Sequence, residues 1–193
     1  CGGHETRKYA ILGYDITLRE GAVVADSNHI QQTLVVFKPD AVQRGIVGEI
    51  LTRFERVGLK IVGTKMIAPD RDHYFKHYEE IGKMVTRRGD KAFKVTLDFM
   101  NQGPVIAMVF EGVDAVMQVR KMVGGTEPLS AAPGTIRGDY SHMSFGYADD
   151  EGKGIPNLIH ASGDPEEAVQ EISHWFSDAE LYTYERVNEK FVR

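Results

Sequence analysis

The sequence predicts an α+β fold, and three observations predict it. Apolar runs of strand length recur at 34–37, 59–67, 104–110 and 157–160. Between the first and second runs, and again between the third and fourth, apolar residues fall at helical spacing. Between the second and third lies a longer, charged segment that also reads as helical.

Residues 34–37, Leu-Val-Val-Phe, are continuous enough for a buried strand. The run stops at Lys38-Pro39-Asp40, where proline breaks the ladder and Asp40 can cap the next helix. Ile46, Ile50 and Phe54, with Val47 and Leu51, predict an amphipathic helix ending near Gly58. Residues 59–67 are rich in strand formers. Segments 70–80 and 91–102 read as helices, with Gly82 and Gly89 marking a loop between them. Residues 104–110 carry the strongest strand pattern of the chain. Residues 114–123 predict a helix with Val116, Val119 and Val123 on one face. A Gly/Pro/Ser-rich loop, 124–138, and a polar, Gly-rich stretch, 141–156, come next. The run 157–160 is the last strand. Residues 165–176 form the closing helix, opened by Asp164 as cap, Pro165 at the first helical position and Glu167 at the third. The order is the ferredoxin-like βαββαβ pattern: a four-stranded antiparallel sheet with helices on one face, and a helical insertion between strands 2 and 3. Residues 1–32 read differently, with short apolar runs at 9–12 and 22–25 around a polar middle, as a hairpin or an arm would have. The expected organisation is an extension over 1–32 and one domain over 33–193.

Composition limits the partners. The 193 residues are 42% hydrophobic and 26% charged, which suits a globular domain. A net charge of −5 disfavours broad contact with nucleic acid or anionic lipid, so neither is an expected partner. An anionic substrate would need positive charge concentrated locally. The single cysteine, Cys1, excludes an intramolecular disulfide and thiolate-cluster metal sites, and fits a reducing, cytoplasmic setting. No apolar run approaches the roughly 18 residues that span a membrane, and the opening residues lack a signal-peptide pattern. The chain opens on Cys1 rather than Met, which points to a fragment or a processed form.

Familiar phosphate-binding patterns are absent: there is no G-x-x-x-x-G-K-[ST] loop and no protein-kinase motif set. His73 and His77 lie four apart, but no acidic third ligand is marked out, so packing or surface roles are expected for both. What stands out is a spread of cationic and polar residues at the ends of elements: Lys38 after the first strand, Arg120 and Thr126 around a helix end, Arg137 in Pro-Gly-Thr-Ile-Arg-Gly-Asp, and Asn157 and His160 on the last strand. Singly these are weak signals, since a lone arginine is usually a solvated charge and a lone histidine a packed or surface residue.

Together they resemble the nucleoside diphosphate kinase family. Lys38-Pro-Asp-Ala-Val-Gln-Arg-Gly-Ile-Val-Gly-Glu-Ile is similar to its opening motif, and Gly103-Pro-Val-Ile-Ala-Met-Val-Phe-Glu-Gly to its third strand. Gly125-Thr-Glu-Pro through Pro133-Gly-Thr-Ile-Arg-Gly-Asp resembles its phosphate-side loop. Asn157-Leu-Ile-His-Ala-Ser resembles its active-site strand, and Glu171-Ile-Ser-His-Trp-Phe the helix behind it. The resemblance runs in consistent order from about residue 33 to residue 182.

The resemblance implies that His160 is a nucleophile carrying a phosphoryl group between nucleoside tri- and diphosphates by a ping-pong mechanism. Imidazole suits the task, because an ordinary pKa near 6.5 leaves a neutral ring at neutral pH. By family position, Glu171 and the Ser162 hydroxyl hold the ring. Arg120 and Arg137 offer planar donor forks to phosphate oxygens, and Thr126 and Tyr78 offer hydroxyls. Lys38 and Asn157 reach the sugar 3′-hydroxyl and the phosphates. Mg2+ is expected on the nucleotide phosphates with no direct protein ligand. A homo-oligomer, hexamer or tetramer, is implied. The same His160 would also serve a phosphohistidine relay or protein-histidine kinase. An inactive interaction module of this fold is a third reading, against which stands the intact set of Lys38, Arg120, Arg137, Asn157 and His160.

Three departures from the family pattern matter. The family's His-Gly-Ser-Asp is here His160-Ala161-Ser162-Gly163, which is tolerable if Ala161 needs no positive φ. The segment between Tyr78 and Phe93 is longer than the family's; the family's base-stacking Phe aligns with Ala92, and Phe93 beside it is the candidate. The stretch 140–155 is also extended. Both insertions fall on the base side, making Arg87, Arg88, Phe145, Tyr147 and Ile155 candidates for remodelled base contacts.

Overall fold

A computed structural model describes residues 8–11, 14–17 and 29–192. Strands β1 (Lys8–Ile11) and β2 (Tyr14–Thr17) pair antiparallel with Lys8 opposite Thr17. The apolar run at 22–25, a candidate arm of a hairpin, lies outside the described residues, as does Leu12.

The main sheet holds β3 (Ile30–Phe37), β4 (Lys60–Ile67), β5 (Val105–Val113) and β6 (Ile159–Ala161) in the order β4-β5-β3-β6, every pair antiparallel. This is the expected βαββαβ arrangement. The expectation of helices on one face needs correction, because both faces are covered. Leu34 and Val36 point with Ala107 and Val109 into one core, and Val35 and Phe37 point with Met108 and Phe110 into the other. A strand buried on both faces has no polar side to alternate with, which is why residues 34–37 read as an unbroken apolar run.

On the second face lie α1 (Pro39–Gln43), α2 (Val47–Arg56), which buries Ile50 and Phe54, and α6 (Ala115–Val123), which buries Val116, Val119 and Val123. Lys38, not Asp40, occupies the cap position of α1, and Pro39 supplies the preset φ of a first helical turn. On the first face lies the insertion: α3 (Arg71–Phe75), a π-helical turn (Lys76–Ile81), α4 (Met84–Arg88) and α5 (Asp90–Met100). The expected loop between Gly82 and Gly89 is therefore mostly helix. Two further short helices, α7 (Ile136–Tyr140) and α8 (Phe145–Asp150), occupy stretches that read as loop. They are capped locally, by the Thr135 hydroxyl accepting from the Gly138 amide and the Ser144 hydroxyl from the Tyr147 amide.

Helix α9 (Pro165–Trp175) begins as its sequence predicts, with Asp164 accepting from the Glu167 amide at 2.8 Å. Its buried stripe is Glu167, Ala168, Glu171, Ile172 and Trp175. Glu171 thus lies on the core side of the helix rather than its solvent side. A short α10 (Glu189–Val192) follows. No helix among the described residues is long and apolar enough to cross a membrane.

Candidate active site

A cleft of about 490 Å³ gathers Lys38, Tyr78, Arg120, Thr126, Arg137, Asn157 and His160 from separate elements along its wall. Glu171 also reaches it, and Ser162 lies fully buried beneath.

The wall carrying Asn157 and His160 is set by an unusual turn. Leu158 has φ 72°, and the Ile159 amide donates to the Asn157 carbonyl at 2.8 Å across it. That is a γ-turn with a left-handed central residue, a strained conformation for a branched side chain. Two contacts hold it: the Lys38 amide donates to the Leu158 carbonyl at 2.9 Å, and the Leu158 amide to Asp40 Oδ2 at 2.9 Å. The reversal leaves Leu158 fully buried while Asn157 and His160 both border the cleft.

His160 Nε2 meets Glu171 Oε1 at 2.7 Å. The other carboxylate oxygen accepts the Ser162 hydroxyl at 2.6 Å, and the Leu34 amide donates to that hydroxyl oxygen at 3.1 Å. With both oxygens accepting, the carboxylate fixes the His160 proton on Nε2 and leaves the Nδ1 lone pair free. Nδ1 makes no hydrogen bond to any described residue, and the His160 side chain keeps 19% of its surface exposed. Burial, then the charge of Lys38, lowers the His160 pKa to about 3, with Arg137 and Arg120 adding to the effect. The ring is therefore neutral throughout the physiological range. Burial pushes the Glu171 carboxyl above its ordinary value, opposed by His77 and the Ser162 hydrogen bond.

The cations are not equally free. Arg137 donates from Nε to the Asn157 carbonyl at 3.1 Å and from its two terminal nitrogens to the carbonyls of Gly124 (3.1 Å) and Ile159 (2.6 Å). Those bonds use three of a guanidinium's five N–H groups and brace the loop against the active-site strand. Burial, then repulsion from Arg120, lowers its pKa only to about 10, so it stays charged. Arg120 is exposed and makes one long contact, 3.4 Å, to the Ser162 carbonyl. Lys38 Nζ donates to Asn157 Oδ1 at 2.8 Å, and Asn157 Nδ2 to the Thr126 carbonyl at 2.8 Å. Burial, then Arg137, lowers the Lys38 pKa to about 7. The Tyr78 hydroxyl is buried at the cleft and finds no partner among the described residues, which makes it a ready donor to an incoming anion.

Phe93, expected at the base, does not line the cleft: its ring packs edge-on against Phe75 at 5.8 Å, beside the core. Ala92 borders the cleft in its place. Of the insertion candidates, Arg87, Arg88, Phe145 and Ile155 border the cleft, but Tyr147 does not and lies under Lys153 instead. Helices α4 and α8 approach each other across the opening, with the Arg88 guanidinium 5.7 Å from the centre of the Phe145 ring.

The departures at 161 and 163 are accommodated. Ala161 is not among the residues with positive φ, so its Cβ adds no backbone strain. At Gly163 a side chain would collide with the Glu167 carboxylate, which accepts the Gly163 amide at 2.6 Å. An acid at 163 is therefore replaced by room for one from α9.

Nothing in the sequence gives His77 or Trp175 a role at the site, yet both stand behind the His160 ring. Helical periodicity hides His77, because the π-helical turn, closed by the Gly82 amide on the His77 carbonyl at 3.1 Å, buries two consecutive residues, His77 and Tyr78. Among the described residues, one group of three converges as metal ligands would: His77, His160 and Glu171, with ligand atoms within 4.8 Å. It is nitrogen-rich and already hydrogen-bonded, unlike the oxygen shell a hard cation such as Mg2+ demands.

The family model for nucleoside diphosphate kinase matches residues 31–181. A nucleoside diphosphate kinase of Pyrococcus furiosus is 48% identical over 166 residues, 86% of this chain and 95% of its own length. One from Borreliella burgdorferi is 44% identical over 160 residues, 83% of this chain and 95% of its own. Among solved structures, a transition-state mimic of the Borrelia burgdorferi enzyme with vanadate and ADP superposes with a TM-score of 0.82 at 43% identity, covering 85% of this chain and 97% of that one. The Halobacterium salinarum enzyme in complex with CDP gives 0.73 at 40% identity, covering 86% and 99%.

Proposed function

The chain belongs to the nucleoside diphosphate kinase family, and on that premise we propose that Nδ1 of His160 carries the phosphoryl group from a nucleoside triphosphate to a nucleoside diphosphate. The observation that supports this most is the 2.7 Å bond from His160 Nε2 to Glu171, which leaves Nδ1 as a neutral nucleophile at a cationic cleft.

In the first half-reaction the Nδ1 lone pair attacks the γ-phosphorus. The bond between that phosphorus and the β–γ bridging oxygen breaks, and the electron pair leaves with the diphosphate. Nε2 keeps its proton against Glu171, so the developing positive charge of the ring meets a carboxylate. In the second half-reaction a terminal oxygen of a new diphosphate attacks phosphorus, and the P–N bond returns its pair to Nδ1. Positioning and charge stabilisation make up most of the catalysis. Lys38, Arg120 and the two unengaged N–H groups of Arg137 serve the equatorial oxygens, with the Tyr78 and Thr126 hydroxyls beside them. Asn157 holds Lys38 and, with it, the sugar side of the nucleotide.

Mg2+ fits as an ion carried by the substrate, since the carboxylates bordering the cleft, Asp149, Asp164, Glu167 and Glu171, form no converging group of three among the described residues. Arg120 and Thr126 would hold the phosphates that bear it. When bound, the ion neutralises charge shared between neighbouring phosphates. We also infer a homo-oligomer, hexamer or tetramer, supported by exposed apolar side chains such as Met117, Leu129 and Phe191. A catalytic domain over 33–193 following an extension over 1–32, and a reducing, cytoplasmic setting, are inferred as well.

Incubation with γ-labelled ATP tests the central step. Label should appear on His160, stable in alkali and lost in acid, and any nucleoside diphosphate should chase it off. A relay would keep its label until a protein acceptor arrived. Absence of label from the wild-type protein would refute the assignment.

A further inference from the structure

His77 is 1% exposed and lies edge-on to the His160 ring, with centroids 4.4 Å apart at 80°. Its Nδ1 is 3.1 Å from the indole nitrogen of Trp175 and 3.6 Å from Glu171 Oε1. That oxygen is the one His160 Nε2 uses. An indole N–H can only donate, so His77 Nδ1 is an acceptor and carries no proton. Burial, then the neighbouring His160, keeps the ring neutral by holding its pKa well below the ordinary value. Its single proton therefore sits on Nε2, which has no hydrogen-bond partner among the described residues. Nothing on the Nε2 side selects that tautomer, and the Trp175 indole alone does.

The selection matters because Glu171 Oε1 is within reach of two imidazoles. With a proton on Nδ1, His77 would become a donor, and a small rotation would bring it onto Oε1. The second carboxylate oxygen is already taken by Ser162. His160 would then share its acceptor, and its own proton would be less firmly fixed on Nε2. A proton on Nδ1 of His160 blocks attack. We propose that the Trp175–His77 hydrogen bond is a tautomer lock: it keeps His77 from donating, reserves Glu171 Oε1 for His160, and so holds the nucleophilic lone pair on Nδ1. Trp175 and His77 are positioning residues in this scheme, which rests on the reading of His160 as the phosphorylated residue.

The test combines imidazole nitrogen NMR on the full chain with single-turnover phosphorylation by ATP. In the wild type, His77 should be protonated at Nε2 and unprotonated at Nδ1. Trp175→Phe keeps the aromatic packing but removes the donor. It should move proton density to His77 Nδ1 and His160 Nδ1, and slow phosphorylation on the order of tenfold, as loss of an orienting contact typically does. Trp175→Phe/His77→Leu has no competing donor and should show the His160 tautomer restored and a rate matching His77→Leu alone. A wild-type His77 protonated at Nδ1 would overturn the lock whatever the variants do, including a Trp175→Phe chain that fails to fold. An unaltered His160 tautomer in folded Trp175→Phe, or equal slowing by Trp175→Phe in both backgrounds, would overturn it too. Failure of the wild type to take label at His160 would remove the nucleophile itself, a result distinct from label uptake with an unlocked tautomer.

Discussion

Asp40 Oδ2 accepts the main-chain N–H of Leu158 at 2.9 Å, tying the start of α1 to the turn that delivers His160. A left-handed φ of 72° at a fully buried leucine is held against a strain of about 1–3 kcal/mol. Asp40→Ala removes one of the two ties and leaves a buried amide unpartnered. It should cost about 1–3 kcal/mol in denaturant melts and lower kcat on the order of tenfold or more as the nucleophile drifts. Asp40→Asn, which keeps an acceptor oxygen, should retain most of both. Wild-type kcat in Asp40→Ala would mean that the turn needs no tether.

Lys38 gives the free enzyme a pH dependence near neutrality. Burial, then Arg137, brings its pKa down to about 7, whereas a bound phosphate would favour the charged amine. Nucleotide binding should therefore take up a proton, increasingly so as pH rises through about 7. Affinity should weaken as pH rises from 7 toward 9, since the amine must then be reprotonated at binding. Calorimetry in buffers of differing ionisation enthalpy reads the uptake directly, and Lys38→Met should abolish it. Proton release on binding would reverse the sign and sink the argument.

Much of this site was legible because its parts sit where sequence patterns are strongest. The strand runs and the capped helix beginning at Asp164 place His160 and Glu171 on neighbouring elements, and the family motifs then identify them. Periodicity fails where segments are shorter than two helical turns, as in α4, α7 and α8, so these stretches read as loops. It fails again at the π-helical turn, whose extra residue puts His77 and Tyr78 inward together. Neighbouring positions such as Ala92 and Phe93 cannot be told apart without knowing how α5 is rotated. The left-handed Leu158 leaves no mark, since nothing about leucine calls for that conformation.

Acid should destabilise the fold through its buried histidines. His160 titrates at about 3 and His73 at about 4, each lowered first by burial, and His77 lies well below its ordinary value. Below pH 6.5 the unfolded chain binds protons that the folded chain refuses, so stability falls as pH falls. Each such histidine contributes up to about 1.4 kcal/mol per pH unit. Glu171 and Asp40, raised by burial, act in the opposite sense, adding stability as pH falls through their raised values, and so offset part of the loss. Urea midpoints should drop between pH 7 and pH 5, and His160→Gln should flatten that drop. A midpoint independent of pH across this interval would contradict the burial of these rings as neutral groups.

Away from the cleft, Lys60 and Glu111 form an ion pair at 2.7 Å with side chains only 2% and 11% exposed, across adjacent strands β4 and β5. Lys60→Met leaves a buried carboxylate without its cation and should cost about 3–5 kcal/mol. Lys60→Met/Glu111→Leu should recover most of that loss, because two apolar groups need no mutual charge. Residual folded enzyme should keep wild-type kcat in both. A single variant as stable as the wild type would show that the other contacts of Glu111, Gln32 at 3.0 Å among them, already satisfy the carboxylate.

The two insertions meet at Arg88 and Phe145, and that contact makes a role in base selection testable. The guanidinium stands 5.7 Å from the ring centre, while one terminal nitrogen donates to the Thr126 hydroxyl at 3.3 Å. One side chain thus links the base side of the cleft, through Phe145, to the phosphate side, through Thr126. Gly154 seats the second insertion on α5, where a side chain would collide with Phe99 and the Val95 carbonyl. Phe145→Ala removes an apolar wall without touching His160, so KM for diphosphates should rise several-fold with kcat nearly unchanged, and unequally among purine and pyrimidine substrates. Arg88→Ala should raise KM for every base alike, since it loses its hold on Thr126 as well. Shortening 140–155 should reproduce the Phe145→Ala pattern. If neither the deletion nor Phe145→Ala alters the ranking of the common nucleoside diphosphates, these helices close the cleft without reading the base.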